Sequence, residues 1–83
     1  MAEAFVLVNT EVGGENDVLK ALMGVEGVKE AYIVYGVYDV VVKIRAPDIE
    51  SLKTIVTTNI RKLPRVKSTL TMVVVEGKKL ENR

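Results

Sequence analysis

No cysteine, histidine or tryptophan occurs in these 83 residues, and there are only two prolines, one phenylalanine and three tyrosines. Without cysteine there is no disulfide and no thiol nucleophile. Without histidine the commonest transition-metal ligand and the commonest general base are missing. Carboxylates remain, but no group of them has the spacing of a calcium loop. Ser51 and Ser68 lack a Gly-x-Ser-x-Gly context, and Gly13-Gly14 lacks the further glycine and Lys-Ser/Thr of a phosphate-binding loop. Lys plus Arg number 12 against 11 Asp plus Glu, a net charge of +1, so no strongly basic face points to nucleic acid. No apolar run approaches the roughly 20 residues of a membrane span. Met1-Ala2-Glu3-Ala4 has no basic region of the kind that opens a signal peptide. These absences predict a cytoplasmic protein that is not an enzyme. They predict no metal and no cofactor, and no nucleic acid or membrane as a direct partner.

What is present is apolar: 48% of the residues. The length allows one domain, spanning 1–83. A domain of this size buries only roughly 60–70% of the surface its unfolded chain exposes, which leaves a marginal core. With disulfides and metal excluded, self-association is the remaining way to reinforce it.

Strand-like and helix-like segments alternate. Ala4 to Thr10 reads as a first strand, broken by Gly13-Gly14. A helix is expected from Glu15 to Met23, with Val18, Leu19, Leu22 and Met23 on one side. Glu15 and Asp17 complement its dipole, and Gly24 is placed to end it in the left-handed conformation. Val28 to Tyr35 and Asp39 to Arg45 are two further strands, close enough to form a hairpin. Pro47-Asp48 starts a second helix, with Asp48 as N-cap and Ile49, Leu52, Ile55, Val56, Ile60 and Leu63 as its apolar stripe. Pro64 stops it. Val66 to Val75 is the last strand, and 77–83 reads as a frayed polar tail. The order β, α, β, β, α, β predicts an α+β, ferredoxin-like split-βαβ fold. Right-handed crossovers put both helices on one face of a four-stranded antiparallel sheet.

The strands are apolar on both faces. Phe5 and Leu7 oppose Val6 and Val8, Val41 opposes Val40, Val42 and Ile44, and Leu70, Met72 and Val74 oppose Val73 and Val75. In the second strand Ile33 and Tyr35 oppose Tyr32 and Val34. Two helices cover one face. The other is a large apolar patch of the kind soluble monomers rarely expose. A second copy packed sheet to sheet covers it as a two-fold dimer.

The segment Tyr35-Gly36-Val37-Tyr38-Asp39 lies at the hairpin. On the residues alone, Gly36 and Asp39 are equally what a tight turn needs, so a turn and a binding site both stay open. The basic run Arg61, Lys62, Arg65 and Lys67 reads as a solvated surface.

Gly27-Val28, then Tyr35-Gly36-Val37-Tyr38-Asp39 leading into Val40-Val41-Val42, then Leu63-Pro64-Arg65-Val66-Lys67-Ser68-Thr69-Leu70-Thr71, resemble the effector domain of the Lrp/AsnC (feast/famine) transcription regulators, the RAM domain. The resemblance runs from about Phe5 to Val75. Full-length members carry an N-terminal helix-turn-helix, for which a first strand starting near Ala4 leaves no room, so the likeness is to stand-alone RAM proteins. It implies a dimeric α/β barrel and homo-oligomers in which dimers assemble into octamers or decamers. It also implies an amino acid or related small effector bound between dimers. Gly36 and Val37 would offer backbone groups to the effector carboxylate, and Asp39 would bind its ammonium. Tyr38 would shape the pocket, and Thr69 and Thr71 of a neighbour would supply hydroxyls. A full-length Lrp/AsnC regulator is an implied partner. Two other readings stand beside this one: a small dimeric α/β-barrel enzyme, which a charged or polar cluster facing the inter-sheet space would favour, and an ACT-type amino-acid-binding domain.

Overall fold

The computed structural model describes residues 1–78. The β-branched runs form the strands β1 (Ala2–Thr10), β2 (Val28–Ile33), β3 (Val40–Ala46) and β4 (Val66–Val73). They pair antiparallel in the order β2-β3-β1-β4. The helical segments are α1 (Glu15–Leu22) and α2 (Ile49–Thr54), and α2 runs on as a π-helical stretch from Ile55 to Ile60. This is the βαββαβ, ferredoxin-like fold that the order of segments predicts.

Burial alternates along the two central strands, although Phe5, Leu7 and Val41 keep the other face partly apolar. Ala4, Val6 and Val8 of β1 and Val40, Val42, Ile44 and Ala46 of β3 are buried. They form one core with Val18 and Leu22 of α1 and with Leu52, Val56 and Ile60. Phe5 and Leu7 pair with Lys43 and Val41, and with Met72 and Leu70, on the opposite face. A one-residue slip would exchange these two sets, so the helix-covered set fixes the register.

The helix ends follow local chemistry. Asp48 accepts the Ser51 N–H at 2.8 Å, as an N-cap does. The π-helical stretch coincides with the β-branched run Ile55-Val56-Thr57-Thr58, and its end is marked by Arg61 N–H donating to the Val56 carbonyl, five residues back, at 2.8 Å. The Thr54 and Thr57 hydroxyls donate to the carbonyls of Glu50 and Lys53, a back-bonding that competes with regular helix.

Four expectations need correction. Gly24 does not end α1 in a left-handed conformation: Met23 stays right-handed, the Gly24 N–H donates to Ala21, and the chain reverses at Gly27, with φ +97°. Glycine is required there, because a Cβ on Gly27 would lie 2.6 Å from Ile55 Cδ1 and 3.2 Å from the Arg45 carbonyl. Met23 is exposed rather than part of the apolar side, since it is the C-cap, beyond the last core-facing turn. β2 and β4 stop at Ile33 and Val73, although Val34 N–H still bonds Asp39 and Val74 N–H still bonds Glu3. Arg65 is not part of a solvated basic run, because it is ion-paired with Asp17 and Glu11. Of the expected tail, Gly77 and Lys78 lie outside the strands, and 79–83 lie outside the described residues.

Candidate functional site

The β2–β3 connection is closed by Val34 N–H donating to the Asp39 carbonyl at 2.9 Å. Its tip stands in solvent: Tyr35 is 105% exposed, and Val37 is exposed beside it. Gly36 takes φ +156°, a value L side chains rarely adopt, and nothing lies within 4 Å of where a Cβ would sit. Its backbone is therefore approachable. Tyr38 and Asp39 are half-buried at the base of the turn.

Asp39 is the organised residue of the group. Its N–H donates to the Val8 carbonyl at 3.0 Å, which ties the turn to β1. Its Oδ2 accepts the Thr10 N–H at 2.8 Å and lies 3.4 Å from the Thr10 hydroxyl, which also donates to the Glu11 carbonyl at 3.1 Å. Among the described residues, Oδ1 has no hydrogen-bond partner. One carboxylate oxygen is thus anchored and the other is open. The role of Thr10 was not among the sequence expectations. Its only signal is a hydroxyl residue at the end of a strand, and that pattern is common.

Thr69 and Thr71 lie on β4, at the sheet edge, opposite Val8 and Val6 of β1. Their side chains share the helix-covered face, where Thr69 is half-buried and Thr71 exposed. Thr69, Val8 and Val40 form one row across the sheet. Two strand spacings, roughly 10 Å, separate the base of the turn from Thr69. Within one chain, then, Gly36, Val37, Tyr38 and Asp39 come together, and Thr69 and Thr71 stand apart from them with β1 between. A surface hollow of about 660 Å³, lined by Gly27, Arg45, Asp48, Ser51 and Ile55, lies at the opposite end of the sheet from the turn and carries no residue of this group.

The uncovered sheet face holds two kinds of surface. Phe5, Leu70, Met72 and Val34 are exposed on it, with Leu7, Val41 and Val74 half-buried among them. At one corner lies a charged cluster. Arg45 Nε and Nη2 donate to Glu3 Oε2 at 2.8 and 2.6 Å, Lys43 lies 3.8 Å from Glu30, and the Tyr32 hydroxyl donates to Glu30 at 2.8 Å. The bond from Arg45 holds the Glu3 carboxyl below its ordinary range, and the bond to Glu30 pushes the Tyr32 phenol up. Every carboxylate in the cluster already has a partner. Among the described residues there is no group of three acids that would hold a metal, and no helix long and apolar enough to cross a membrane.

Residues 3–83 match the family model for the Lrp/AsnC ligand binding domain. The chain belongs to the Lrp/AsnC ligand-binding domain family. An HTH-type transcriptional regulator of Pyrococcus abyssi, FL11, is 36% identical over 76 residues, which are 92% of this chain and 50% of the relative. This Lrp/AsnC domain therefore spans about half the length of the curated regulator it matches. The crystal structure of FFRP-DM1 superposes with a TM-score of 0.86 at 40% identity, covering 90% of this chain and all of the other. A feast or famine regulatory protein from M. tuberculosis, complexed with L-methionine, shares the fold with a TM-score of 0.82 at 20% identity, over all of this chain and 56% of its own. The family assignment decides against an ACT-type domain.

Proposed function

We propose that this Lrp/AsnC domain, the single domain of residues 1–83, is a stand-alone effector-sensing and assembly module of transcription regulation in the cytoplasm, not an enzyme. Two copies pack their uncovered sheet faces together. Dimers join into an octameric or decameric ring. An amino acid or related small molecule sits between dimers, held by Gly36, Val37, Tyr38 and Asp39 of one chain and by Thr69 and Thr71 of another. A full-length Lrp/AsnC regulator is the partner it tunes, by mixed assembly.

The observation that carries the effector reading is Asp39. A carboxylate anchored through Oδ2 and open at Oδ1 is prepared to accept an ammonium without losing its own support. The approachable backbone at Gly36 suits the other end of an amino acid. The separation of the two threonines from the turn in one chain favours a site shared between chains. The M. tuberculosis regulator of the same fold is complexed with L-methionine, which makes that amino acid the first ligand to try.

Calorimetry against the twenty amino acids, on wild type and Asp39→Ala, tests this. The wild type is expected to bind at least one of them and the variant to bind it far more weakly; equal affinity removes Asp39 from the site. Pull-down of a co-expressed full-length Lrp/AsnC regulator tests the partner, and finding no hetero-oligomer counts against it.

The charged corner of the sheet face is what a dimeric α/β-barrel enzyme would place between its sheets. Its pairing argues against catalysis. Arg45 holds the Glu3 carboxyl below its ordinary range, and Glu30 is shared by Lys43 and Tyr32, so each acid of the cluster is engaged by a partner rather than free to act on a substrate.

A further inference from the structure

Among the described residues, Arg65 alone outside glycine has a positive φ, +73°. A left-handed backbone is unfavourable for any side chain, and it persists where the surroundings over-determine it, most often at functional positions. Here the surroundings come from the other half of the chain. Arg65 Nη1 donates to Asp17 Oδ2 at 2.8 Å, Nη2 donates to the Val12 carbonyl at 3.0 Å, and Nε lies 3.5 Å from Glu11 Oε1. The Arg65 carbonyl accepts the Glu11 N–H at 2.8 Å. Gly13-Gly14 keeps this seat open, because a Cβ on Gly14 would lie 3.1 Å from Arg65 Nε and 3.2 Å from its Cβ. The glycine pair, which matches no phosphate loop, thus has a structural use.

Glu11, held at both its backbone and its carboxylate, is the neighbour of Thr10. The Thr10 amide is the group that aims Asp39. β1 shifts register against β4 between Asn9 and Thr10, so the strand ladder does not itself fix this point. Asp39 is hydrogen-bonded to Thr10, Thr10 is joined through its peptide to Glu11, and Glu11 is hydrogen-bonded and ion-paired to Arg65, so the three form one connected line.

We infer that Arg65 is a positioning residue of the effector site: by clamping Glu11 it fixes the Thr10 amide against which the Asp39 carboxylate is held. The ligand-binding arm of the test rests on the effector reading above; the amide arm does not.

Arg65→Gly keeps the left-handed backbone and removes the guanidinium. Two quantities are measured at a temperature where every variant is folded: hydrogen exchange of the Thr10 amide relative to the core amides of Val6 and Val42, and affinity for L-methionine by calorimetry. Thr10 exchange is expected to rise by about tenfold or more over the core. Affinity is expected to fall by about fivefold or more. Arg65→Lys, which keeps the charge but not the forked geometry, should restore only part of each. If Arg65→Gly does not fold, Glu11→Ala carries the test, since the Glu11 side chain is 61% exposed and its loss removes the carboxylate that Nε faces. Thr10 exchange that tracks the core in the variants overturns the inference, leaving Arg65 a clamp on α1. So does faster Thr10 exchange with unchanged affinity. If wild type does not bind L-methionine, that ligand is lost to the effector reading, and the amide exchange still decides the role of Arg65.

Discussion

Leu70→Asp separates folding from assembly. Leu70 lies opposite Leu7 on the uncovered sheet face and is 47% exposed in the single chain. Replacing it therefore removes little from the core, and the monomer should keep its fold. In a two-fold sheet-to-sheet dimer the same position is buried twice. Full burial of a leucine is worth about 1.5–3 kcal/mol, so burying the exposed half contributes about 1 kcal/mol per chain, or about 2 per dimer. The substitution removes that and places two unpaired carboxylates in the interface, each costing several kcal/mol. The sum exceeds about 4 kcal/mol, a thousandfold or greater rise in the dimer dissociation constant. Sedimentation equilibrium should show wild type as dimer or larger at micromolar concentration and Leu70→Asp as a monomer, with circular dichroism unchanged in shape. If the variant sediments as wild type does, Leu70 is not in the interface. A monomeric wild type at that concentration refutes the sheet-face dimer itself.

Other expectations follow from named contacts. Asp39→Asn keeps an oxygen for the Thr10 amide but lacks the charge, so it should lose about 1 kcal/mol of stability or less while effector affinity drops at least tenfold by calorimetry. Gly27→Ala combines a left-handed backbone with a 2.6 Å approach to Ile55, and its thermal midpoint should fall by about 4–8 °C per kcal/mol lost, with about 1–3 kcal/mol expected. Glu3 and Asp48 have folded pKa values lowered by Arg45 and by the Ser51 amide respectively. Their stabilising contribution is present above their ordinary values of 4.5 and 3.8 and is lost as pH falls through the lower, folded values. Thermal melts between about pH 6 and pH 3 should therefore decline less steeply in Glu3→Gln and Asp48→Asn than in wild type; parallel declines would show that other groups set the acid limit.

Much of the fold is legible in the sequence because its signals are local. β-branched runs, two helix stripes and an Asp N-cap leave one consistent order of elements, and the doubled apolarity of β1 and β3 announces a face the helices do not cover. What is not legible depends on contacts distant in sequence. Gly24 and Gly27 are both suitable helix stops by type. The choice between them is made by Ile55 and the Arg45 carbonyl, which crowd only Gly27. Arg65 reads as one cation in a basic run until Asp17 and Glu11, 48 and 54 positions earlier, are brought beside it. For the candidate site, the turn from Gly36 to Asp39 stands out by motif, and the threonines of β4 by pattern. The anchoring of Asp39 by Thr10 depends on how β1 lies against β3, which no residue pattern states. That Thr69 and Thr71 belong to a different part of the sheet likewise follows from strand order.

The proposed function lies at interfaces between copies of this chain, with a small effector between dimers. Native mass spectrometry of the purified protein, with and without L-methionine and the other amino acids, tests it most directly. An even-numbered ring, an octamer or decamer, is expected to gain the mass of one bound amino acid per site and to lose it in Asp39→Ala. A monomer, or an assembly that takes up none of the twenty amino acids, would contradict it.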